Sequence, residues 1–218
     1  MERDERSAFK LIHKYLGATQ DPDYSFVLEQ VPYTKPFWDT FPRHREKLRE
    51  LIKRGRVEVA GALYNEPQST LVGLEALVRN VCYGTEYHRR QYEAEAMTPW
   101  MLDVFGHEPN FPQILARAGH KAVAYARGPY KRCWGIPADR LNFPVDYWWV
   151  APDGSRVLAR LLEPDSYGLG YNLRQYSGPE EAWWEVAQTF ETAADYPAAH
   201  VQIWTVGGDF AEPIPWLG

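Results

Sequence analysis

Short extended segments that alternate with amphipathic helical patterns are the feature of this sequence that most restricts its fold. The extended segments are apolar runs of three to six residues, predicted at 24–28, 57–60, 100–102, 122–126 and 201–206. Helices are predicted around them at 5–16, 35–54, 71–95, 109–119 and 178–195. Gly55 and Gly119 are placed to close two of these helices. The alternation is typical of an α/β fold with a largely parallel sheet and helices outside it.

One pair of strands is predicted to be antiparallel. Residues 147–150 and 156–162 flank Pro152-Asp153-Gly154, which is a strong turn signal and indicates a hairpin. The other strands are separated by helices and are predicted to run parallel. In such sheets the loops that follow the strands build the functional site, so polar residues at strand ends are the first candidates for chemistry.

Composition and charge exclude several classes of partner. The 218 residues are enough for one sizeable domain or part of a larger one. A net charge of −5 argues against nucleic acid or an anionic membrane as the main partner. No apolar run approaches the roughly 20 residues that a membrane span needs. Cys82 and Cys133 lie far apart and no signal peptide is visible, so a cytoplasmic, reducing location is expected.

Two aspartates follow predicted strands and are candidates for catalytic chemistry. Asp103 comes directly after 100–102, in a loop that also presents Phe105 and His107. Asp209 follows 201–206 after two glycines. Glycoside hydrolysis requires two carboxyl groups, one to attack the anomeric carbon and one to protonate the leaving oxygen. Taken singly, each aspartate fits a turn or helix-capping role at least as well, and spacing does not show that the two converge.

Three segments and one short closing element carry a resemblance to a known family. The segments are GRVEVAGALYNEPQSTL, GLEALVRNVCYG and LDVFGHEPNFPQILARAG, and the closing element is GGDF. The third segment is the most specific, because its Asp, Phe, Gly, His, Pro, Gln and Leu all fall in place. On these residues the chain resembles glycoside hydrolase family 38, the α-mannosidases, over nearly its whole length. The resemblance implies an α/β domain whose largely parallel sheet forms part of a seven-stranded α/β barrel.

The resemblance also implies roles for individual residues. Asp103 matches the aspartate that is both the catalytic nucleophile and a ligand of a zinc cofactor, and Asp209 matches the general acid/base. Arg127 matches an active-site arginine that contacts the substrate. Tyr167 and Phe105 match further substrate contacts, and the substrate implied is a mannose-containing oligosaccharide or mannoside. His107 belongs to the motif, but it is expected to support the site rather than to bind metal.

The chain departs from the family mainly at the metal site. Family members open with a strand that ends in a His-x-Asp pair of zinc ligands, and no such pair precedes residue 24. A further histidine ligand lies beyond Gly218 in the family, so Asp103 alone remains of four ligands. Residues 1–218 are therefore expected to be a partial catalytic domain that lacks the first metal-binding strand and the downstream part. Alone, it is expected to be inactive or nearly so.

A second departure precedes Asp209. Gly208 stands where the family often carries another aspartate that contacts the sugar, which predicts a weaker or altered substrate contact.

Two other interpretations stay open. One is a related α/β-barrel enzyme, either a polysaccharide deacetylase or an amylase-like hydrolase. The Asp-Asp and His-x-x-x-His pairs that hold a deacetylase metal are absent from the sequence. The other is a non-catalytic carbohydrate-binding remnant, which would bind mannose without stoichiometric zinc. The sequence makes no prediction of oligomeric state.

Overall fold

Helices and strands alternate along the residues that the computed structural model describes, which are 2–95, 98–127, 144–162, 167–194, 201 and 203–217. The α-helices are α1 (Glu2–Ala18), α2 (Val31–Thr40), α3 (Arg45–Lys53), α4 (Leu74–Tyr87), α5 (Phe111–Arg117) and α6 (Pro179–Ala194). The strands are β1 (Phe26–Leu28), β2 (Val57–Val59), β3 (Trp100–Met101), β4 (Ala122–Tyr125), β5 (Asp146–Val150) and β6 (Arg156–Leu161). Cys133 lies outside the described residues.

The strands pair mainly in parallel, which confirms the prediction from the alternation. β1 and β2 form a two-stranded parallel sheet, and a four-stranded sheet has the order β3-β4-β6-β5. β3, β4 and β6 run parallel, whereas β5 pairs antiparallel with β6 across the predicted turn at 152–154. A backbone hydrogen bond of 3.2 Å from Gly61 N to Thr98 O joins the loop after β2 to the segment before β3. Within each sheet, the parallel strands therefore present their carboxyl ends at one edge.

The described residues form fewer strands than the expected barrel requires. They contain six strands in two sheets, so they do not by themselves build a seven-stranded barrel. The predicted strand at 201–206 was wrong, because the described part of that segment has no strand conformation. Thr205 O accepts a hydrogen bond from Gly170 N at 2.8 Å, and Val201 O accepts one from Arg160 Nη1 at 3.0 Å. The described part of this segment thus makes isolated hydrogen bonds instead of the regular hydrogen-bond ladder of a strand.

The predicted helix at 35–54 is interrupted. α2 ends at Thr40, a 3₁₀ turn occupies Pro42–His44, and α3 follows directly. Pro42 has no backbone N–H to continue the helical hydrogen bonds, and its ring disfavours the helical conformation at Phe41, where φ is −121° and ψ is 63°. Gly55 closes α3 as predicted, with a left-handed φ of 70°.

Two apolar cores hold five of the six described α-helices on the sheets, and α6 packs in a smaller cluster with Leu173 and Ile214. One packs α1, α2 and α3 against β1 and β2, with Phe37, Trp38 and Leu48 buried at its centre. The larger core packs α4 and α5 against the four-stranded sheet and includes the fully buried Met101 and Phe111. Among the helices that the structure describes, none is long and apolar enough to cross a bilayer.

Helix α4 touches the chain after β2 at Gly84. A Cβ at this position would lie 2.3 Å from both Leu63 C and Tyr64 N, which are backbone atoms that cannot move aside. A hydrogen bond of 3.0 Å from Tyr64 N to Asn80 O fixes the same approach. The absence of a side chain at 84 therefore sets how closely α4 packs.

We predict that Gly84→Ala lowers the free energy of unfolding by about 1–3 kcal/mol, because the added methyl group overpacks a backbone contact. Gly17→Ala is the matched control, since a Cβ at the exposed Gly17 in α1 meets nothing within 4 Å. That change should leave stability unaltered or raise it by up to about 1 kcal/mol. Urea unfolding of the two variants measures the difference, and equal midpoints would contradict the close approach.

A π-helical turn, His88–Tyr92, continues α4 and buries an ionisable ring. The rings of His88 and Tyr92 stack at 5.8 Å with an interplanar angle of 20°. Burial lowers the pKa of His88 from 6.5 to about 4. The folded protein therefore opposes protonation of a histidine that the unfolded chain protonates readily.

We predict that this histidine makes the fold sensitive to acid between pH 6.5 and about 4. In that range His88 is protonated in the unfolded chain but not in the folded chain, so the free energy of unfolding falls as the pH falls. The loss through His88 amounts to about 3 kcal/mol at most. Urea unfolding at several pH values should show a shallower loss for His88→Gln than for the unaltered chain. Parallel profiles would contradict the assignment.

Candidate functional site

Asp103 and Arg127 form the centre of the site at the carboxyl edge of the larger sheet. Asp103 lies two residues beyond the end of β3, and Arg127 lies two residues beyond the end of β4. Arg127 donates a hydrogen bond of 2.7 Å from Nε to Asp103 Oδ1, and its Nη2 forms an ion-pair contact of 2.6 Å with the same oxygen. Two charged nitrogens beside one oxygen hold the carboxylate in place.

Two aromatic rings lie beside the Arg127 guanidinium. Its Cζ is 5.2 Å from the ring centroid of Phe105 and 5.4 Å from that of Tyr167. Both distances are within the range of cation–π attraction. Arg127 also has a left-handed φ of 59°, which is uncommon for a residue with a side chain and is typical of functional sites.

Tyr167 connects this centre to the second predicted carboxylate. Its hydroxyl donates a hydrogen bond of 3.5 Å to Asp209 Oδ1. Burial raises the pKa of Tyr167, and the negative charges of Asp209 and Asp103 raise it further. The phenol is therefore close enough to both carboxylates to interact with each of them.

The structure thus brings together all five residues that the sequence analysis assigned to the site, namely Asp103, Phe105, Arg127, Tyr167 and Asp209. His107 lies beside the backbone of Arg127 and Ala126, whose hydrogen bonds partly offset the effect of burial on its pKa. Its ring packs edge-on against Tyr125 at 4.8 Å and Trp149 at 5.7 Å, and burial lowers its pKa. This packing agrees with the supporting position expected for His107.

Sequence reasoning missed two residues that hold the Asp103 loop. Glu66 accepts hydrogen bonds from the backbone N–H groups of Leu102 and Asp103, the second at 3.3 Å. Gln68 accepts one from Phe105 N at 3.0 Å. Both belong to the NEPQ run of the first matching segment, and the only signal available was a polar run after a predicted strand.

A second carboxyl group lies behind Glu66. Burial raises the pKa of Glu29 well above its ordinary value, and the neighbouring Glu66 charge adds to the effect. Burial also raises the pKa of Glu66, although the amides of Leu102 and Asp103 partly offset the rise. Adjacent carboxyl groups in this setting favour sharing a proton over carrying two negative charges.

The expected difference at Gly208 has a structural counterpart. A Cβ on Gly208 would lie 2.4 Å from Cδ2 of the Tyr171 ring, so the ring occupies the space that a side chain at 208 would need. The Arg174 guanidinium lies over the same ring, with Cζ 3.6 Å from the centroid. An aromatic ring therefore stands next to Asp209 where the family often has an aspartate.

The described residues do not make a metal site on their own. Within the ranges that the structure describes, no group of three or more His, Cys, Asp and Glu side chains could hold a metal ion. Catalytic zinc sites use three or more protein ligands, and Asp103 is the one ligand in this chain that the family resemblance implies. The donor set of the described residues alone therefore does not fit zinc.

Comparison with known proteins gives a consistent result. The sequence model of the N-terminal domain of glycosyl hydrolases family 38 matches residues 2–215. Alpha-mannosidase 2C1 of Mus musculus is 27% identical over 151 residues, which cover 69% of this chain and 14% of that protein. A putative mannosylglycerate hydrolase of Halalkalibacterium halodurans is 30% identical over 169 residues, 75% of this chain and 19% of that protein.

A solved structure shares the fold. The crystal structure of an alpha-mannosidase from Enterococcus faecalis matches with a TM-score of 0.81 at 21% identity, covering 96% of this chain and 23% of that one. The chain therefore spans less than a quarter of the length of each of these three proteins.

We predict that Gly208→Ala destabilises the protein by about 1–3 kcal/mol through its clash with the Tyr171 ring. The same substitution in a Tyr171→Ala background should cost less, with a coupling energy of about 0.5–3 kcal/mol. Thermal or urea unfolding of the four proteins of this double-mutant cycle measures the coupling. Additive effects would show that the ring does not fill the space at 208.

Proposed function

The chain belongs to glycosyl hydrolase family 38, and from that premise we propose that it forms part of the catalytic domain of an enzyme that hydrolyses terminal α-mannosidic linkages. The observation that supports this most directly is the cluster itself. Asp103 and Asp209 approach the same Arg127 and Tyr167 pair from two different loops, and only the Asp103 loop follows a strand that the structure describes. Two carboxyl groups beside aromatic rings are what a retaining glycosidase requires.

In the proposed mechanism, Asp103 attacks the anomeric carbon and forms a covalent glycosyl–enzyme intermediate. Arg127 holds Oδ1 of that carboxylate, and no described residue donates a hydrogen bond to Oδ2, which is the oxygen we assign to the attack. Asp209 donates a proton to the leaving oxygen. It then accepts one from the water that attacks the anomeric carbon and displaces the Asp103 carboxylate. Such a mechanism works with carboxyl groups about 5–5.5 Å apart.

Phe105 and Tyr167 are proposed to contact the sugar. Phe105 is 62% exposed, which leaves its ring available to a ligand. Tyr167 bonds Asp209 and lies against Arg127, so it can orient both the sugar and the proton donor. Apolar faces of pyranose rings pack on aromatic side chains, and this contact removes apolar surface from water.

We propose that zinc takes part with Asp103 as one ligand, and that the other ligands come from polypeptide outside these 218 residues. The same additional polypeptide would complete the seven-stranded barrel. On this proposal the 218-residue chain alone is inactive or nearly so. When bound, the metal would hold sugar hydroxyls and help to orient the ring.

The substrate class is proposed from the site and the relatives together. The names of the relatives cover both α-mannosidase and putative mannosylglycerate hydrolase, so the proposal includes mannose joined to another sugar and mannose joined to a small organic acid. We also propose a cytoplasmic, reducing compartment, which is compatible with the exposed free thiol of Cys82.

We predict that this chain alone fails to hydrolyse an aryl α-mannoside or mannosylglycerate, with or without added zinc. A polypeptide that joins it to the family's remaining length should hydrolyse at least one of the two. Asp103→Asn in that polypeptide should lower kcat by about a thousandfold or more, because the nucleophile is lost.

Asp39→Asn is the matched control, since it makes the same chemical change at an exposed residue of α2 and should leave kcat unaltered. Turnover that survives Asp103→Asn would overturn the assigned nucleophile. Mannose binding without turnover in the longer polypeptide would favour the carbohydrate-binding remnant instead.

A further inference from the structure

The loop that carries Asp103 is held by side chains instead of by a neighbouring strand. β3 ends at Met101, and the loop that follows makes its backbone hydrogen bonds to residues 66–69. Glu66 uses both carboxylate oxygens to accept from the N–H groups of Leu102 and Asp103. Two consecutive amides are thus fixed at the position of the proposed nucleophile.

Gln68 binds the next stretch of the same loop. Its Oε1 accepts a hydrogen bond from Phe105 N at 3.0 Å, and its Nε2 donates to Asp103 O at 3.4 Å. The shorter of these two bonds is the one to Phe105, the ring proposed to contact the sugar. Gln68 therefore acts mainly on the backbone of Phe105.

Ser69 is the third residue whose side chain binds the backbone of this loop. Its Oγ accepts a hydrogen bond from Glu108 N at 3.0 Å and donates one to Gly106 O at 3.3 Å. Gly106 has a left-handed φ of 91°, where the loop bends against Thr70. Three side chains thus satisfy backbone groups from Leu102 to Glu108, which secondary structure would otherwise satisfy.

We propose that Glu66 and Gln68 are positioning residues with separate tasks, Glu66 for the Asp103 carboxylate and Gln68 for the Phe105 ring. The proposal rests on the proposed hydrolase function and deepens it. Hydrogen bonds that a carboxylate accepts from backbone N–H groups are stronger than neutral ones, so Glu66 holds Asp103 from the backbone side while Arg127 holds its carboxylate.

The two tasks predict different kinetic effects. Displacement of a reacting group by about 1 Å can cost about a hundredfold in rate, whereas loss of a contact made equally in the ground state and the transition state raises KM alone. Glu66→Gln replaces one acceptor oxygen with an NH₂ group that faces a backbone N–H. Gln68→Ala removes the acceptor for Phe105 N.

We predict that Glu66→Gln lowers kcat about 10- to 100-fold with KM within about twofold of the unaltered enzyme. Gln68→Ala should raise KM about 5- to 20-fold with kcat within about threefold. Gln68→Glu keeps an acceptor for Phe105 N and should bring KM back to within about threefold. The assay uses the form of the protein that hydrolyses an aryl α-mannoside.

Matched controls are available outside the site. Glu75→Gln makes the same change in the exposed Glu75–Arg79 ion pair of α4, and Gln113→Ala removes a hydrogen bond to Asp153 at the β5–β6 turn. Both should leave kcat and KM unaltered. If Glu66→Gln and Gln68→Ala instead lower kcat equally without a change in KM, the separate tasks are refuted.

Hydrogen exchange tests the same contacts without activity. In the 218-residue chain, amides of the peptide that spans residues 102–108 should exchange faster in Glu66→Gln and Gln68→Ala than in the two controls, at equal thermal midpoints. Unaltered exchange there would overturn the proposal even if the enzyme is a mannosidase. Faster exchange together with no turnover in any form of the unaltered protein would refute the proposed function, and with it the catalytic tasks, but not the contacts.

Discussion

Parallel pairing in a fixed register is the constraint on which the site depends. β3 and β4 pair with Met101 opposite Tyr125, and the ladder ends with a hydrogen bond of 3.0 Å from Ala126 N to Met101 O. Asp103 and Arg127 each lie two residues beyond that matched pair. Because parallel strands leave the sheet at the same edge, equal offsets place the two side chains opposite each other. The strand register alone therefore places the two side chains close enough to form an ion pair.

Electrostatic and aromatic contacts then refine this placement. Arg127 adopts a left-handed backbone conformation and, through its guanidinium, contacts Asp103, Phe105 and Tyr167. The strain of that conformation is offset by one charged hydrogen bond, one ion-pair contact and two cation–π contacts. Asp209 joins through Tyr167, so the second carboxylate depends on a ring that lies far from it in sequence.

Sequence patterns predicted those parts of the structure that local chemistry determines. The parallel strands, the hairpin at 152–154 and the glycines that end α3 and α5 follow from periodicity and from backbone conformations that glycine adopts easily. Prediction failed where a single residue, or a contact with a distant part of the chain, determines the local structure. Pro42 divides one predicted helix into two, and 201–206 has an apolar strand pattern without a strand ladder in its described residues. Sequence analysis did not identify Glu66 and Gln68, because side-chain hydrogen bonds to a backbone about 35 residues away leave no periodic pattern in the sequence.

The turn of the β5–β6 hairpin provides a position for modification at the opposite edge of the sheet from the site. β6 runs parallel to β4, so the turn at 152–154 precedes β6 at the edge opposite to Asp103 and Arg127. Its residues are exposed, and exposed turn tips tolerate insertions better than any other part of a fold. An affinity peptide or a surface-attachment tag placed there would tether the molecule with its carboxyl-edge loops facing the solution.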